Sequence, residues 1–273
     1  MRSSILRIQR ARSNIFIDRY RSLNQALVAT LLLVASSISV SSQAAAESSE
    51  LVTDRPDFTE SAVVVPVGNP QIEAGVTWVD TDLVDELSGA EVLVRWTVAH
   101  RFELRFGLPD YLVVSNESGT SGFSDSTIGA KIQLGPVAES WDLALIAATT
   151  LPTGKEELSF NTYVPVVILI TGRDLGKSWS LGAQVEAAWP EFAEKRVVAW
   201  GGTVVLGTGL SDKWGTFVEL AGFDLNRDEI STLLHHGYTY LLRPHIQLDI
   251  HGAIGLTDAS PNYLLGAGIS IRP

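Results

Sequence analysis

The sequence predicts an all-β fold, a transmembrane antiparallel up-and-down β-barrel of about 12 strands over residues 70–273. Three patterns indicate this fold. Apolar and polar side chains alternate, the alternating segments are about ten residues long, and the connections between them are long and short in turn. Strands of about ten residues cross a bilayer at a tilt of ~45°, whereas strands of globular proteins usually have about five or six residues.

The segment Arg101–Leu108 shows the alternation most clearly, because successive side chains of a strand point to opposite faces. Its apolar face carries Phe102, Leu104, Phe106 and Leu108. Its other face carries Arg101, Glu103 and Arg105. In a soluble sheet the apolar face would pack on a core, and in a membrane barrel it would face lipid while the charges line the lumen. The segment alone fits both.

The same alternation predicts the remaining strands. In chain order the predicted strands are about residues 71–78, 91–98, 101–108, 127–134, 141–149, 163–170, 179–187, 197–206, 214–223, 233–242, 245–251 and 263–272. This is an even number, as in bacterial single-chain barrels, and it returns both ends of the chain to the same side of the membrane.

The connections favour an outer-membrane barrel over a soluble one. Odd-numbered connections are longer and rich in acidic, Gly and Ser residues, and even-numbered ones are short, as expected for external loops and periplasmic turns. Trp141, Trp179 and Trp214 open strands at the predicted periplasmic rim. Trp78 and Trp189 close strands at the outer rim. Aromatic residues at both interfaces are typical of membrane barrels, although Trp in a soluble core remains an alternative.

Residues 1–46 are predicted to be a cleaved signal peptide. They contain six Arg and a single acid, then the apolar run Ala26–Ala35, and end in Ala44–Ala46. The apolar run is too short for a membrane helix, which needs about 20 residues. The protein is therefore expected to be exported to the outer membrane of a Gram-negative-type bacterium.

Residues 47–69 form a charged, Pro-containing lead-in without strand character. Two readings are open: a plug folded into the lumen, or a periplasmic tail. As a plug, its charges would meet charges of the barrel wall through Asp54, Arg55, Asp57 and Glu60.

The composition excludes several kinds of site. The chain has no Cys, so disulfides, thiolate metal sites and Cys nucleophiles are absent. Without residues 1–46 the chain has 14 basic and 30 acidic residues, a formal charge of −16. Such an acidic protein is a poor partner for nucleic acid. The barrel pattern, and not the charge, predicts outer-membrane lipid and small solutes as partners of a monomeric barrel.

Several motifs together resemble the outer-membrane β-barrel family of the meta-cleavage (MetA) pathway of phenol degradation, whose members are described as transporters. The matching stretches span the mature chain and are Thr53–Ser61, Gln71–Gly75, Glu103–Arg105, Ser126–Lys131, Leu151–Gly154, Gln247–Asp249 and Gly266–Gly268. Family members usually end in an aromatic residue, whereas this chain ends Ile271-Arg272-Pro273. The resemblance implies a channel or transporter for passive passage of small, aromatic or hydrophobic molecules.

Ionisable residues on the predicted inner faces are the candidate functional residues. They are Glu73, Glu91, Arg95, Arg101, Glu103, Arg105, Lys131, Glu186, Glu219, Asp249, His251 and Arg272. Such residues can set the charge selectivity of a polar path, or they can pair across strands and stabilise the wall. A barrel of 12 strands lies between filled small barrels and open large ones, so both roles stay open.

Metal binding and catalysis are not predicted. His245 and His251 lie on one face but six residues apart, roughly 20 Å along a strand, so they cannot share an ion. The chain has no Gly-x-Ser-x-Gly nucleophile motif, and no cofactor is indicated. Two alternatives to a channel remain, a structural barrel with a closed lumen and a secreted soluble β-barrel that binds a ligand.

Overall fold

The computed structural model describes residues 51–115, 119–137, 140–192, 195–224 and 230–273. The predicted signal peptide lies outside these residues. Among the described residues, no helix is long and apolar enough to cross a membrane.

The regular elements of the described chain are β-strands. In chain order they are β1 (Gln71–Asp80), β2 (Asp85–Gly89), β3 (Leu93–Ala99), β4 (Phe102–Gly107), β5 (Tyr111–Ser115), β6 (Thr120–Phe123), β7 (Ser126–Gln133), β8 (Asp142–Leu151), β9 (Val164–Asp174), β10 (Trp179–Ala188), β11 (Glu191–Phe192), β12 (Lys195–Arg196), β13 (Ala199–Gly209), β14 (Trp214–Asp224), β15 (Ser231–Arg243), β16 (Ile246–Gly255) and β17 (Tyr263–Ile271).

Twelve of these strands form a closed antiparallel barrel, as the sequence predicts. Each strand pairs with its neighbours along the chain, and the last strand, β17, pairs with the first, β1, from Ile72–Ile271 to Asp80–Tyr263. The barrel strands are β1, β3, β4, β7, β8, β9, β10, β13, β14, β15, β16 and β17. β11 and β12 form a small separate hairpin.

Three further strands lie in segments that the sequence predicts to be long connections, residues 80–89 and 110–124. β2, β5 and β6 continue β3, β4 and β7 beyond short interruptions. Ala90 has a φ of 57° and makes a bulge against β1, because Val76 pairs with Gly89 while Glu91 N donates to Gly75 O. Pro109 lies between β4 and β5. It lacks a backbone N–H and cannot donate a hydrogen bond to a neighbouring strand, which is consistent with the interruption at this point.

The barrel is apolar outside and charged inside. The side chains of Val185, Val204 and Leu220 are all more than half exposed, whereas Glu103 and Lys131 are fully buried. This is the reverse of a water-soluble fold and is typical of a barrel whose outer face meets lipid. The stretch Arg101–Leu108 has the same arrangement, since Glu103 and Arg105 are buried inside and Leu108 is exposed outside.

Candidate functional site: the barrel lumen

Residues 51–65, here called the lumen segment, lie inside the barrel and bind its wall. Wall carboxylates accept hydrogen bonds from the backbone of this irregular segment. Glu73 Oε2 accepts from Arg55 N at 3.0 Å. Glu219 accepts from Phe58 N at 2.9 Å and from Thr59 N at 2.8 Å. A buried chain without regular structure needs partners for its N–H groups, and the wall supplies them.

Asp54 is the centre of a buried network of charges. Its Oδ2 lies 2.6 Å from Arg105 Nη1 and 3.1 Å from Arg95 Nε, and its Oδ1 lies 3.2 Å from Lys131 Nζ. Burial alone would raise the pKa of Asp54, but these three cations hold it well below the usual value. Glu103 Oε1 lies 3.0 Å from Arg95 Nε and 3.1 Å from Arg105 Nη1. We call this set the charged cluster: Asp54, Glu60, Glu73, Arg95, Glu103, Arg105 and Lys131.

Glu60 and Glu73 complete the charged cluster from opposite ends. Glu60 Oε2 lies 2.6 Å from Arg105 Nη2, and Glu60 N donates to Gln184 Oε1 at 2.8 Å. Glu73 Oε1 lies 2.9 Å from Arg95 Nη1. The inner faces of β1, β3, β4 and β7 therefore bind one side of the lumen segment through ionic contacts.

Arg55 contacts a different part of the wall. Its guanidinium lies 3.1 Å from Glu91 Oε2 and 3.3 Å from Asp249 Oδ1. Its Nη2 also donates to the backbone oxygen of Ala267 at 3.3 Å. Glu91 precedes β3, Asp249 lies on β16 and Ala267 lies on β17, so Arg55 reaches strands on both sides of the β1–β17 pairing.

A chain of hydrogen bonds links Glu219 to two His residues. His235 Nδ1 lies 2.8 Å from Glu219 Oε2, and His235 Nε2 lies 2.9 Å from His251 Nδ1. Because Glu219 also accepts from two backbone N–H groups, we assign the proton of His235 to Nδ1, so that His251 Nδ1 is the donor of the second bond. The ring of Phe58 lies on His235 with centroids 4.5 Å apart.

The other predicted residues lie at the margins of this site. Arg101 is in the turn between β3 and β4, with a φ of 62°, and not on a strand. Arg272 follows the end of β17, and its N donates to His245 O. Glu186 is half-buried on β10 and pairs with Gly201. Asp57 lies on the lumen segment and borders a cavity described below.

Polar residues of the wall beyond the candidate residues also belong to the site, because the candidates were chosen among ionisable groups. They lie on the same inward-facing alternate positions as the predicted charges. These residues are Gln71, Gln133, Gln184, Thr203, His235 and Gln247. His235 contacts the lumen segment through the ring of Phe58, and the others hydrogen-bond to it. The period-two alternation places the Gln residues of this set on the polar faces of their strands, but it does not show that they bind the lumen segment.

A cavity of about 290 Å³ lies beside the lumen segment, on the side away from the charged cluster. Small and hydroxyl-bearing residues of β10, β13, β14 and β15 border it. We call the following the open wall: Ser180, Gly207, Gly209, Gly215 and Thr239. A Cβ atom on Gly209 would have no atom within 4 Å. Within the described residues, no group of three or more His, Asp or Glu is placed to hold a metal ion.

Comparison with known proteins agrees with this architecture. The model of the family described as "Putative MetA-pathway of phenol degradation" matches residues 53–272. An outer membrane channel from Pseudomonas putida F1 has a TM-score of 0.62 at 17% identity, covering 77% of this chain and 97% of its own. The NanC porin has a TM-score of 0.53 at 9% identity, covering 75% of this chain and 100% of its own. The KdgM porin also reaches 0.53, at 8% identity, with 74% and 99% covered. No curated protein matches the sequence.

Proposed function

The chain belongs to the outer-membrane β-barrel family described as "Putative MetA-pathway of phenol degradation", and from that premise we propose that it is a passive channel for small solutes in the outer membrane. The observation that carries the proposal is the cavity between the lumen segment and the open wall. In this proposal the segment is a partial plug, which narrows the lumen on the charged side and leaves a passage on the other.

The lining of the passage supports small solutes of low charge, and aromatic or hydrophobic molecules are the proposed class. Val205 and Phe217 border the cavity together with hydroxyl groups and glycines. Arg55 also borders it, but its guanidinium is engaged by Glu91 and Asp249. The description of the family, which refers to phenol degradation, supports the same class.

Single-channel conductance in planar bilayers tests the passage. We expect discrete openings from the purified barrel and a clear reduction in Gly209→Trp, because that side chain would enter the cavity from a position with free space. Leu210→Trp is the matched control, since Leu210 is exposed and does not border the cavity. Equal conductance in all three proteins would contradict this path.

A closed structural barrel is the second candidate, and the buried, fully paired charged cluster favours it. A folded protein that shows heat-modifiable gel mobility but no conductance would support it over the channel. Uptake of labelled phenol and of a labelled sugar of similar size, measured in cells lacking their major porins, tests the solute class. Faster entry of the sugar than of phenol would contradict an aromatic or hydrophobic solute.

A further inference from the structure

The barrel closes where β1 meets β17, and we call this pairing the seam. The two strands pair over nine residues, and near the middle of the seam Gly75 lies opposite Gly268. These strands are the most distant in sequence of all paired barrel strands, because one opens the barrel and the other ends it. Closing the seam therefore carries the largest loop-closure entropy of the strand pairings in the barrel.

Arg55 occupies the inner side of the seam. On the β17 side it binds Asp249 through Nε and Nη2 at 3.4 and 3.3 Å, and the Ala267 oxygen through Nη2 at 3.3 Å. On the β1 side its Nη1 binds Glu91 at 3.1 Å, and its backbone N binds Glu73. One residue of the lumen segment thus holds both edges of the closing barrel.

The glycine pair leaves space for this contact. A Cβ atom at Gly75 would overlap the guanidinium of Arg55, and so would a Cβ atom at Gly268. Two glycines that face each other across the seam allow the planar guanidinium to lie against the backbone of both strands. Only a residue without a side chain fits at either position while Arg55 is bound.

Neighbouring residues extend the contact along the seam. Gln247 of β16 donates to Thr53 Oγ1 at 3.1 Å, and Gln71 of β1 donates to Val52 O at 2.6 Å. At the end of the seam, Asn69 Nδ2 donates to Pro273 O at 2.6 Å. Residues before the barrel therefore contact both its first and its last strands.

We propose that Arg55 is a clasp that holds the barrel closed, binding the two seam strands together from inside the lumen. This proposal does not rest on solute passage, since it concerns the closure of the barrel, although Arg55 also borders the cavity. It also accounts for the position of Arg55 beside Gly75 and Gly268, which a simple obstruction of the lumen does not require.

Thermal unfolding of the purified barrel, followed by the loss of its fast-migrating form on unheated gels, tests the clasp. We expect Arg55→Ala to unfold at a clearly lower temperature than the unmodified protein. Arg55→Lys should fall between them, because Lys keeps the charge but cannot bind two partners with a planar fork. An unfolding temperature of Arg55→Ala equal to that of the unmodified protein would overturn the proposal.

Engineered disulfides separate closure of the seam from general stability. The chain has no Cys, so Ala74→Cys with Ile269→Cys creates a single bridge across the seam, between residues paired in register. This bridge should restore the unfolding temperature of Arg55→Ala, and a reductant should remove the rescue. Val204→Cys with Leu220→Cys, a paired position between β13 and β14, is the matched bridge away from the seam.

The two bridges give opposite outcomes under the proposal. Rescue by the seam bridge alone supports a clasp. Equal rescue by both bridges contradicts it, because Arg55 would then contribute only general stability. Rescue by neither bridge also contradicts it, because Arg55 would then only hold the lumen segment in place. If Arg55→Ala does not fold, the seam bridge must restore folding while the distant bridge does not, and any other result also overturns the proposal.

Discussion

The two sides of the lumen are built from the same strand alternation but from opposite chemistry. The wall of β1, β3, β4 and β7 presents long charged side chains that are fully or almost fully buried, such as Arg95 and Lys131. The open wall of β10, β13, β14 and β15 presents glycines and short hydroxyl-bearing residues at the corresponding inward-facing positions. The charged wall binds the lumen segment, and the open wall leaves space beside it. Inward parity thus predicts where a side chain lies, but its size and charge decide whether the lumen is filled.

The charged wall depends on the lumen segment for its charge balance. Its three cations face only two wall carboxylates within the charged cluster, and Asp54 and Glu60 supply the others. A buried ion is costly unless it is paired, so wall and segment stabilise each other. The open wall has no such requirement, because glycine and hydroxyl groups carry no charge.

Asp54→Asn should cause the largest loss of stability. It keeps the shape of the side chain but leaves Arg95, Arg105 and Lys131 without their shared anion, and breaking a buried pair costs roughly 3–5 kcal/mol. Urea unfolding of the barrel in lipid vesicles measures the change. Asp212→Asn, in an exposed turn, is the matched control and should be close to neutral. Similar curves for both variants would show that the charged cluster contributes little.

Leu104→Arg tests the outer face of the charged wall. Its strand neighbours Glu103 and Arg105 are buried inside, whereas Leu104 lies on the apolar outer face. A cation near the middle of the bilayer should lower the free energy of unfolding by roughly 2–4 kcal/mol, and one near the interface by about 0–1 kcal/mol. Leu108→Arg, beyond the end of β4, is the control for the interface. Normal insertion and stability of Leu104→Arg would contradict the assigned orientation.

The fold could be predicted because a strand of a membrane barrel is specified locally. Alternation with a period of two fixes both faces of a segment such as Arg101–Leu108, and strand length and connections then give the barrel. The strands β2, β5 and β6 escaped prediction, because they lie in segments rich in acidic, Gly and Ser residues that were assigned to external loops. They are strands because β2 pairs with β1 and β5, and β5 pairs with β6.

The site could be predicted only as a set of inward positions. Parity places Glu103, Arg105 and Lys131 inside, but which of them share a partner depends on strand register and on the path of the lumen segment. Arg101 is predicted to lie on a strand, but it lies in the turn between β3 and β4. Two of the motifs that carry the family resemblance, Gln247–Asp249 and Gly266–Gly268, both contact Arg55 in the structure.

Gly268→Ala should have an intermediate effect. Its Cβ would overlap the Arg55 guanidinium and come close to the backbone of β1 as well. Forcing the clasp out of place should cost roughly 1–3 kcal/mol, the usual range for overpacking a filled site. Urea unfolding measures it. Combining Gly268→Ala with Arg55→Ala checks the cause, since the glycine substitution should cost less when the guanidinium is absent; an unchanged cost would assign the effect to the β1 backbone.

Gly209→Ala, on the open wall, should have the smallest effect and the opposite sign. No atom lies within 4 Å of the added Cβ, so nothing is displaced. Replacing glycine where the backbone conformation allows it restricts the unfolded chain and should stabilise the barrel by up to about 1 kcal/mol. The same substitution would thus destabilise the seam and not the open wall, when both are measured by urea unfolding. A loss at Gly209 as large as that at Gly268 would mean that the open wall is packed as tightly as the seam, and that the cavity beside it does not provide a passage.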